Sequence, residues 1–104
     1  AFGTVTQSNN KTTAVTINTP SGQITTANAQ MAPAANAVFV VNCSTVSTRD
    51  VVVVSVASGG TLGAYNAFIA AVGDGSFTVE LKNVTNNAYS EAIKLNYAIF
   101  HTES

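Results

Sequence analysis

The stretch RDVVVVSVASGG, residues 49–60, decides the fold, because it predicts a β-strand that is apolar on both faces. Successive side chains of a strand point to opposite faces, and a strand with one face in water usually alternates apolar and polar residues. Here Val51 and Val53 share one face with Ser55, and the intervening valines share the other. A chain of 104 residues offers a single core. We predict that Val51 and Val53 face away from it, because Ser55 suits a dry core less well.

Strand signals also dominate the rest of the chain, where Gly, Asn and Asp mark the turns. A connection at 27–36 contains Pro33, which interrupts any helix of useful length. A single domain over 1–104 is therefore expected, an all-β antiparallel sandwich of jelly-roll or Greek-key type with about eight strands. The predicted strands cover residues 3–7, 14–19, 21–26, 37–43, 50–57, 64–72, 76–83 and 91–100.

The predicted strands differ in how they alternate. SFTVELK (76–82) alternates cleanly, whereas AVFVVNC (37–43) and AYNAFIAAV (64–72) are apolar on both faces. We expect one face of one sheet to be covered by a second copy of the chain. A covering loop at 27–36 or a β-bulge are the alternatives. The expected core residues of the alternating strands are Phe77, Val79, Leu81, Ile93, Leu95, Tyr97 and Ile99. The expected subunit-contact residues are Val38, Val40, Val51, Val53, Tyr65 and Ile69.

Charge and cysteine content exclude several functions. Charged residues make up 9% of the chain and the net charge is −1, without the basic cluster that nucleic acid requires. No apolar run approaches the roughly 20 residues of a membrane-spanning helix. We therefore expect neither nucleic-acid binding nor membrane insertion. The single Cys43 is expected to be buried, and the sequence predicts no metal site and no cofactor.

The sequence predicts no catalytic residues. Asp74 lies in the turn GDG (73–75), where a structural role is expected, and His101 lies in a terminus expected to be frayed. Carbohydrate sites combine aromatic rings for stacking with amide groups for hydrogen bonding. Asn86, Asn87 and Tyr89 in TNNAYSE fit that pattern, although a polar turn with one anchoring aromatic is the favoured explanation.

Five segments carry a resemblance that covers nearly the whole chain. They are GTVTQ (3–7) with KTTAVTIN (11–18), DVVVVSV (50–56), GAYNAFIAAVGDGSFTVELKN (63–83) and SEAIKLNYAIF (90–100). In this order they resemble a domain at the C-terminal ends of tailspikes and tail fibres of bacteriophages and prophages. None of the segments is a catalytic motif.

The resemblance implies a homotrimer at the distal end of a phage spike or fibre, in the virion. Its function there would be to hold the trimer together and to contact host surface polysaccharide. Any depolymerase activity would lie in upstream parts of a parent chain, and the opening AFGTVTQ is consistent with an excised piece. The alternatives are a carbohydrate-binding module, whose main role is polysaccharide recognition, or a capsid decoration domain.

Overall fold

The computed structural model describes residues 2–102, which contain β-strands and no helix. Its longest strand is the one predicted at 64–72, with nine residues, and those predicted at 50–57 and 76–83 follow with eight each. The described chain measures 45 × 20 × 19 Å along its principal axes. The strands are β1 (Phe2–Thr6), β2 (Val15–Thr16), β3 (Ser21–Thr25), β4 (Gln30–Met31), β5 (Asn36–Asn42), β6 (Val51–Ser58), β7 (Tyr65–Gly73), β8 (Ser76–Asn83), β9 (Tyr89–Ser90) and β10 (Lys94–Phe100).

Eight of these strands form two four-stranded sheets. Sheet A has the order β1-β3-β10-β6 and sheet B the order β2-β5-β8-β7, while the short strands β4 and β9 pair with each other. Consecutive strands usually lie in different sheets, and β7–β8 is the one pair of sequence neighbours in a common ladder. Most strand pairs therefore join residues that are far apart in the chain.

The predicted all-β class is confirmed, but the predicted antiparallel pairing holds only in part, because both four-stranded sheets are mixed. β1 runs parallel to β3, and β2 runs parallel to β5. Parallel neighbours need a long crossover connection. Here the crossover is a strand of the opposite sheet, since β2 separates β1 from β3 and β3 separates β2 from β5. Alternating hydrophobicity predicts that a strand forms but not which direction it takes.

The inner faces of the two sheets share one hydrophobic core. The core residues expected for the strands at 76–83 and 91–100 are all confirmed as buried, and so is Cys43. The rings of Phe77 in sheet B and Tyr97 in sheet A lie 5.4 Å apart between centroids, tilted by 51°. Gly22 makes room for this pair, because a Cβ there would lie 2.7 Å from the Gly3 carbonyl oxygen and 3.1 Å from the Tyr97 ring.

The connection at 27–36 packs at one end of the molecule. Its strand β4 pairs with β9, with Met31 opposite Tyr89. Lys82 and Asn83 of β8 reach toward the same segment, where the Asn83 backbone amide donates to the Ala35 carbonyl. The segment therefore does not cover the outer face of β6, where Val51 and Val53 are exposed.

Candidate interaction surface

The outer face of sheet A carries an exposed apolar patch at one end. Across the β6–β10 ladder, Val51 lies opposite Phe100 and Val53 lies opposite Ala98. Ser21 of β3 lies opposite both Ala98 of β10 and Phe2 of β1, so Phe2 belongs to the same row across the sheet. Phe2, Phe100 and the two valines are between 48% and 63% exposed. We call Phe2, Val51, Val53, Ala98 and Phe100 the sheet A patch.

The remainder of this outer face is polar. Ser55 follows Val53 on the same side of β6 and lies opposite Asn96. The Gln23 side-chain amide donates to the Asn96 oxygen at 3.0 Å. A shallow hollow of about 190 Å³ lies between β6 and β10 at the boundary with the apolar patch. The face is thus divided along its strands into an apolar half and a polar half.

The outer face of sheet B carries a second apolar patch. Val38 of β5 and Phe68 of β7 flank Glu80 of β8 in one row, and Val40 lies in the next row. Val38, Val40 and Phe68 are between 39% and 44% exposed. We call these three residues the sheet B patch. Its centre, unlike that of the sheet A patch, holds an acidic side chain.

Four of the six predicted contact residues, Val38, Val40, Val51 and Val53, divide between these two patches. Val51 and Val53 face outward, as predicted, while Val52 on the other side of β6 is buried. The expectation that all contact residues share one face of one sheet is wrong, because β5 belongs to sheet B and β6 to sheet A. Sequence alternation shows that a second face is apolar, but not which sheet a strand joins.

Tyr65 and Ile69 do not belong to either patch. Both are partly buried and pack against the core, and Phe68 is the exposed apolar residue between them. A register shift between Ile69 and Ala71 inserts one extra residue, so that Val72 also returns to the core side. Such a bulge reverses the alternation on its far side. The predicted assignment of the two faces of β7 is therefore wrong.

The two patches flank one edge of the molecule. β6 is an edge strand of sheet A, β7 is an edge strand of sheet B, and the two lie against each other. The sheet A patch therefore borders this edge on one side and Phe68 borders it on the other. Phe68 is the one residue of the sheet B patch on this edge, because Val38 and Val40 lie on β5, which β8 separates from β7.

The 83–90 loop, which is proposed for glycan contact, is held by hydrogen bonds to the side chain of Asn83, which is fully buried. Its side-chain amide donates to the carbonyls of Met31, Ala32 and Asn87 at 2.8–3.3 Å. Its side-chain oxygen accepts hydrogen bonds from the backbone and hydroxyl of Thr85. Sequence analysis does not predict this role of Asn83, because Met31 and Ala32 become its neighbours only in the folded chain.

The predicted glycan residues occupy different positions on that loop. Asn86 and Asn87 are exposed, whereas Tyr89 is partly buried and its ring lies 6.1 Å from that of Tyr65. The side-chain amides of both asparagines make no hydrogen bond within residues 2–102. The side chains of Asn86 and Asn87 are thus free to contact a ligand, whereas Tyr89 is only partly accessible.

A buried polar cluster lies beside this loop, and sequence analysis missed it. Lys11 is buried, and its ammonium donates to the carbonyls of Ala27, Ala29 and Glu91. Burial lowers the pKa of Lys11, an effect that the charge of Glu91 opposes. A lysine whose partners are backbone carbonyls from distant segments leaves no signal in a single sequence.

The Glu91 side chain fixes the neighbouring β6–β7 connection. It accepts hydrogen bonds from the Tyr65 hydroxyl at 2.7 Å and from the Thr61 backbone amide at 3.0 Å. The Tyr65 hydrogen bond holds the pKa of Glu91 below its usual range, although partial burial opposes it. Burial, with the Glu91 contact, raises the pKa of Tyr65. Tyr65 therefore has a structural contact in place of the predicted subunit contact.

At the opposite end, two aspartates hold turns. Asp74 lies in its turn as expected, and its carboxylate accepts hydrogen bonds from the Thr48 amide and hydroxyl. His101 contacts the buried Asp50 carboxylate at 2.9 Å rather than lying free. Burial works against ionisation of Asp50, but the Ser47 amide and His101 together keep its pKa below the usual range. These contacts anchor the end of the β6–β10 pair at which Val51 lies opposite Phe100.

Comparison with known proteins gives no relative for this chain. No family model matches it, and neither do the curated proteins or the solved structures. Within residues 2–102, no three or more His, Cys, Asp or Glu side chains are grouped as they would be around a metal ion. The same residues include no helix with the length and apolar character needed to cross a membrane. The two apolar patches are the surface features that most require an explanation.

Proposed function

We propose that this chain is a non-enzymatic assembly domain that forms a homotrimer through its outer sheet faces. The observation that carries the proposal is the pair of apolar patches on a molecule whose core is already complete. The sequence resemblance to C-terminal domains of phage tailspikes and tail fibres supports the same role. On this proposal the domain holds three copies together at the distal end of a spike or fibre in the virion.

The exposed apolar residues support assembly because they are contiguous rather than scattered. Scattered exposed apolar residues are normal on monomers, but contiguous apolar patches mark interaction sites. In the sheet A patch, Val51, Val53 and Phe100 are direct or diagonal neighbours across one ladder. A matched surface on another copy would remove all of them from water at once. At about 25 cal/mol per Å² of apolar area, that burial stabilises association.

Val53→Asp tests whether the sheet A patch lies at the subunit contact. The wild-type chain should have the mass of a trimer in size-exclusion chromatography with light scattering at micromolar concentration. The variant should be monomeric, because an unpaired carboxylate in a dry contact costs several kcal/mol. Circular dichroism should show an unchanged β-fold, since Val53 is half exposed in the single subunit.

Ser55→Asp is the matched control. It places the same charge two residues further along the same face of β6, in the polar half. This variant should remain trimeric. A wild-type chain that runs as a monomer would overturn the proposed assembly role, and a folded Val53→Asp trimer would remove the sheet A patch from the contact.

A second candidate function, polysaccharide contact, is favoured by the 83–90 loop. Asn83 fixes the backbone of this loop, so the free amides of Asn86 and Asn87 are presented without a large ordering cost. The partly buried Tyr89 lies two residues beyond Asn87 in the same loop. The loop lies at the Glu91 end of the molecule, whereas the sheet A patch lies at the Asp74 end, so both functions can coexist.

Glycan binding has its own test. Asn86→Ala with Asn87→Ala should weaken retention of the chain on host-cell polysaccharide at least tenfold, and Tyr89→Ala should weaken it as well. Asn66→Ala, an exposed asparagine on β7, serves as the control. Unchanged retention for both loop variants would remove the 83–90 loop as the site.

A further inference from the structure

A polar cleft at the Asp74 end of the molecule has no role in the proposed function. It has a volume of about 380 Å³ and is lined by Ser47, Thr48, Arg49 and Asp74. The first three residues lie in the connection that precedes β6, and Asp74 lies in the turn between β7 and β8. Ligand pockets commonly measure roughly 300–1,000 Å³, so the cleft has room for a small molecule.

Hydrogen bonds hold the walls of this cleft in place. The Thr48 amide and hydroxyl donate to Asp74 Oδ1 at 2.9 and 2.8 Å, which joins the connection before β6 to the β7–β8 turn. The Thr102 hydroxyl donates to the Arg49 carbonyl. A ligand in the cleft therefore meets backbone that is already ordered, and little conformational entropy is lost when it binds.

Arg49 brings a positive charge to the cleft. Its guanidinium is always protonated and carries five N–H donors. The side chain is exposed and makes no ion pair or hydrogen bond within residues 2–102. Asp50, the acid next to it in sequence, is buried, and its Oδ2 contacts the Ser47 amide and His101 instead. The donors of Arg49 are thus available to a ligand.

Asp74 brings the opposite charge. Both hydrogen bonds from Thr48 go to its Oδ1, while Oδ2 has no hydrogen-bond partner in the described part of the chain. The same hydrogen bonds hold the pKa of Asp74 below its usual range, so the carboxylate is ionised at neutral pH. Arg49 and Asp74 line one cleft without forming an ion pair with each other. The cleft therefore presents two separate charges of opposite sign.

This lining distinguishes between classes of small molecule. An anion would be attracted by Arg49 but repelled by Asp74, and a cation would be repelled by Arg49. A neutral sugar would leave both charges without a counter-charge, and none of the described lining residues offers an aromatic ring for stacking. A molecule that carries both charges complements the cleft on both sides.

We infer that the cleft binds a small zwitterion of the amino-acid class, with an ammonium group and a carboxylate a few bonds apart. The ligand carboxylate accepts paired hydrogen bonds from the Arg49 guanidinium, the geometry that guanidinium–carboxylate pairs favour. The ligand ammonium donates to the free Oδ2 of Asp74. This site is separate from the 83–90 loop, and binding there does not depend on the proposed homotrimer.

Glycine, the smallest such zwitterion, is the probe. An NMR titration of the isotope-labelled wild-type chain should give saturable shifts of the amide signals of residues 47–50 and 73–75. Acetate and methylammonium each carry one of the two charges, so each should bind at least about tenfold more weakly than glycine. Glycerol, a neutral polyol, should leave these signals unchanged.

Two variants each remove one charge from the cleft. Arg49→Ala and Asp74→Asn should each weaken glycine binding about tenfold or more. The asparagine oxygen still accepts the hydrogen bonds from Thr48, so the loss reports the charge and not the shape of the turn. The control variants Lys94→Ala and Glu80→Gln remove the same charges elsewhere and should bind glycine as wild type does.

Several results would overturn the zwitterion site. Glycine would give no saturable shift, or acetate would bind as tightly as glycine with no effect of Asp74→Asn, as at a plain anion site. Shifts with glycerol alone would indicate a polyol site, and unchanged glycine binding in a folded Arg49→Ala variant would contradict the role of the guanidinium.

Arg49→Lys covers the case in which Arg49→Ala does not fold. Lysine keeps the positive charge but lacks the paired donors, so this variant should still weaken glycine binding, and unchanged binding would count against the site. The mass of the wild-type assembly is measured independently of glycine binding. A monomeric wild type would overturn the homotrimer and leave the cleft untouched, and loss of the cleft site would leave the homotrimer untouched.

Discussion

β6 and β8 are both eight residues long, and the more apolar of the two is the less buried. β8 (SFTVELKN) lies between β5 and β7, and its inward Phe77, Val79 and Leu81 are at most 1% exposed. β6 (VVVVSVAS) lies at the edge of sheet A, where Val52 alone is buried and Val54 is partly buried. The fold therefore explains every apolar residue of β8 but only two of the five valines of β6, Val52 and Val54.

This difference indicates what each strand is for. A sequence that only had to complete the core would need one apolar face on β6, as it has on β8. An exposed, apolar edge strand is a hazard for aggregation, and proteins usually protect such edges with charges or prolines. β6 contains neither. The second copy proposed above, covering the outer face of β6, would account for that composition.

The largest expected effect separates a core phenylalanine from an exposed one. Phe77→Ala in β8 should lower the free energy of unfolding by about 3–5 kcal/mol, because the ring is fully buried and leaves a cavity. Phe68→Ala on the neighbouring β7 should lower it by less than about 1 kcal/mol in dilute, monomeric protein. Urea denaturation measures both. Equal losses would mean that Phe68 is part of the core.

A smaller effect compares the same substitution in β6 and β8. Val79→Thr buries a hydroxyl in the core and should cost roughly 1–3 kcal/mol. Val53→Thr places the same hydroxyl in water and should cost less than about 0.5 kcal/mol of subunit stability. The urea midpoints of the two variants, measured under conditions where the chain is monomeric, decide the matter. A Val53→Thr loss as large as that of Val79→Thr would contradict the orientation of β6.

The smallest expected effect concerns pH, because an aspartate precedes each of the two strands. Asp50 and Asp74 have pKa values below the ordinary 3.8, and Glu91 has one below 4.5. The stability that these carboxylates contribute is complete above those ordinary values. It is lost as the pH falls through the depressed values of the folded state. The urea midpoint should therefore decline progressively below pH 4.5.

Asp74→Asn provides the control for the pH effect. The asparagine oxygen still accepts hydrogen bonds from Thr48, but the side chain cannot ionise. This variant should show a shallower decline in acid than wild type. An acid-insensitive wild-type midpoint, or an unchanged decline in Asp74→Asn, would show that the turn carboxylates do not stabilise the fold.

Sequence reasoning worked where the chain repeats a simple period. The alternation of SFTVELK predicts the burial of Phe77, Val79 and Leu81, and RDVVVV with Ser55 predicts the outward direction of Val51 and Val53. It failed on β7, because the inserted residue lies in a run of alanines, where an extra residue changes no visible pattern. It also missed the parallel pairs, since strand direction depends on where a crossover leads.

The polar contacts could not be predicted for a different reason. The Lys11 ammonium joins carbonyls of Ala27 and Glu91, and the Asp50 carboxylate meets His101 fifty-one residues later. Each contact depends on strands that become neighbours only in the folded sheet. A single sequence supplies the side chains, while the topology supplies the partners. The sequence cannot distinguish the two apolar patches, because only the folded structure shows that β5 and β6 belong to different sheets.

The most direct test of the assembly account is the solution mass of the wild-type chain. Light scattering after size-exclusion chromatography, repeated over a dilution series at micromolar concentration, should give three times the 10.6 kDa of one chain. The apparent mass should fall toward that of a single chain only on dilution. A mass of 10.6 kDa at every concentration, in a protein whose circular dichroism shows a folded β-domain, would contradict the account.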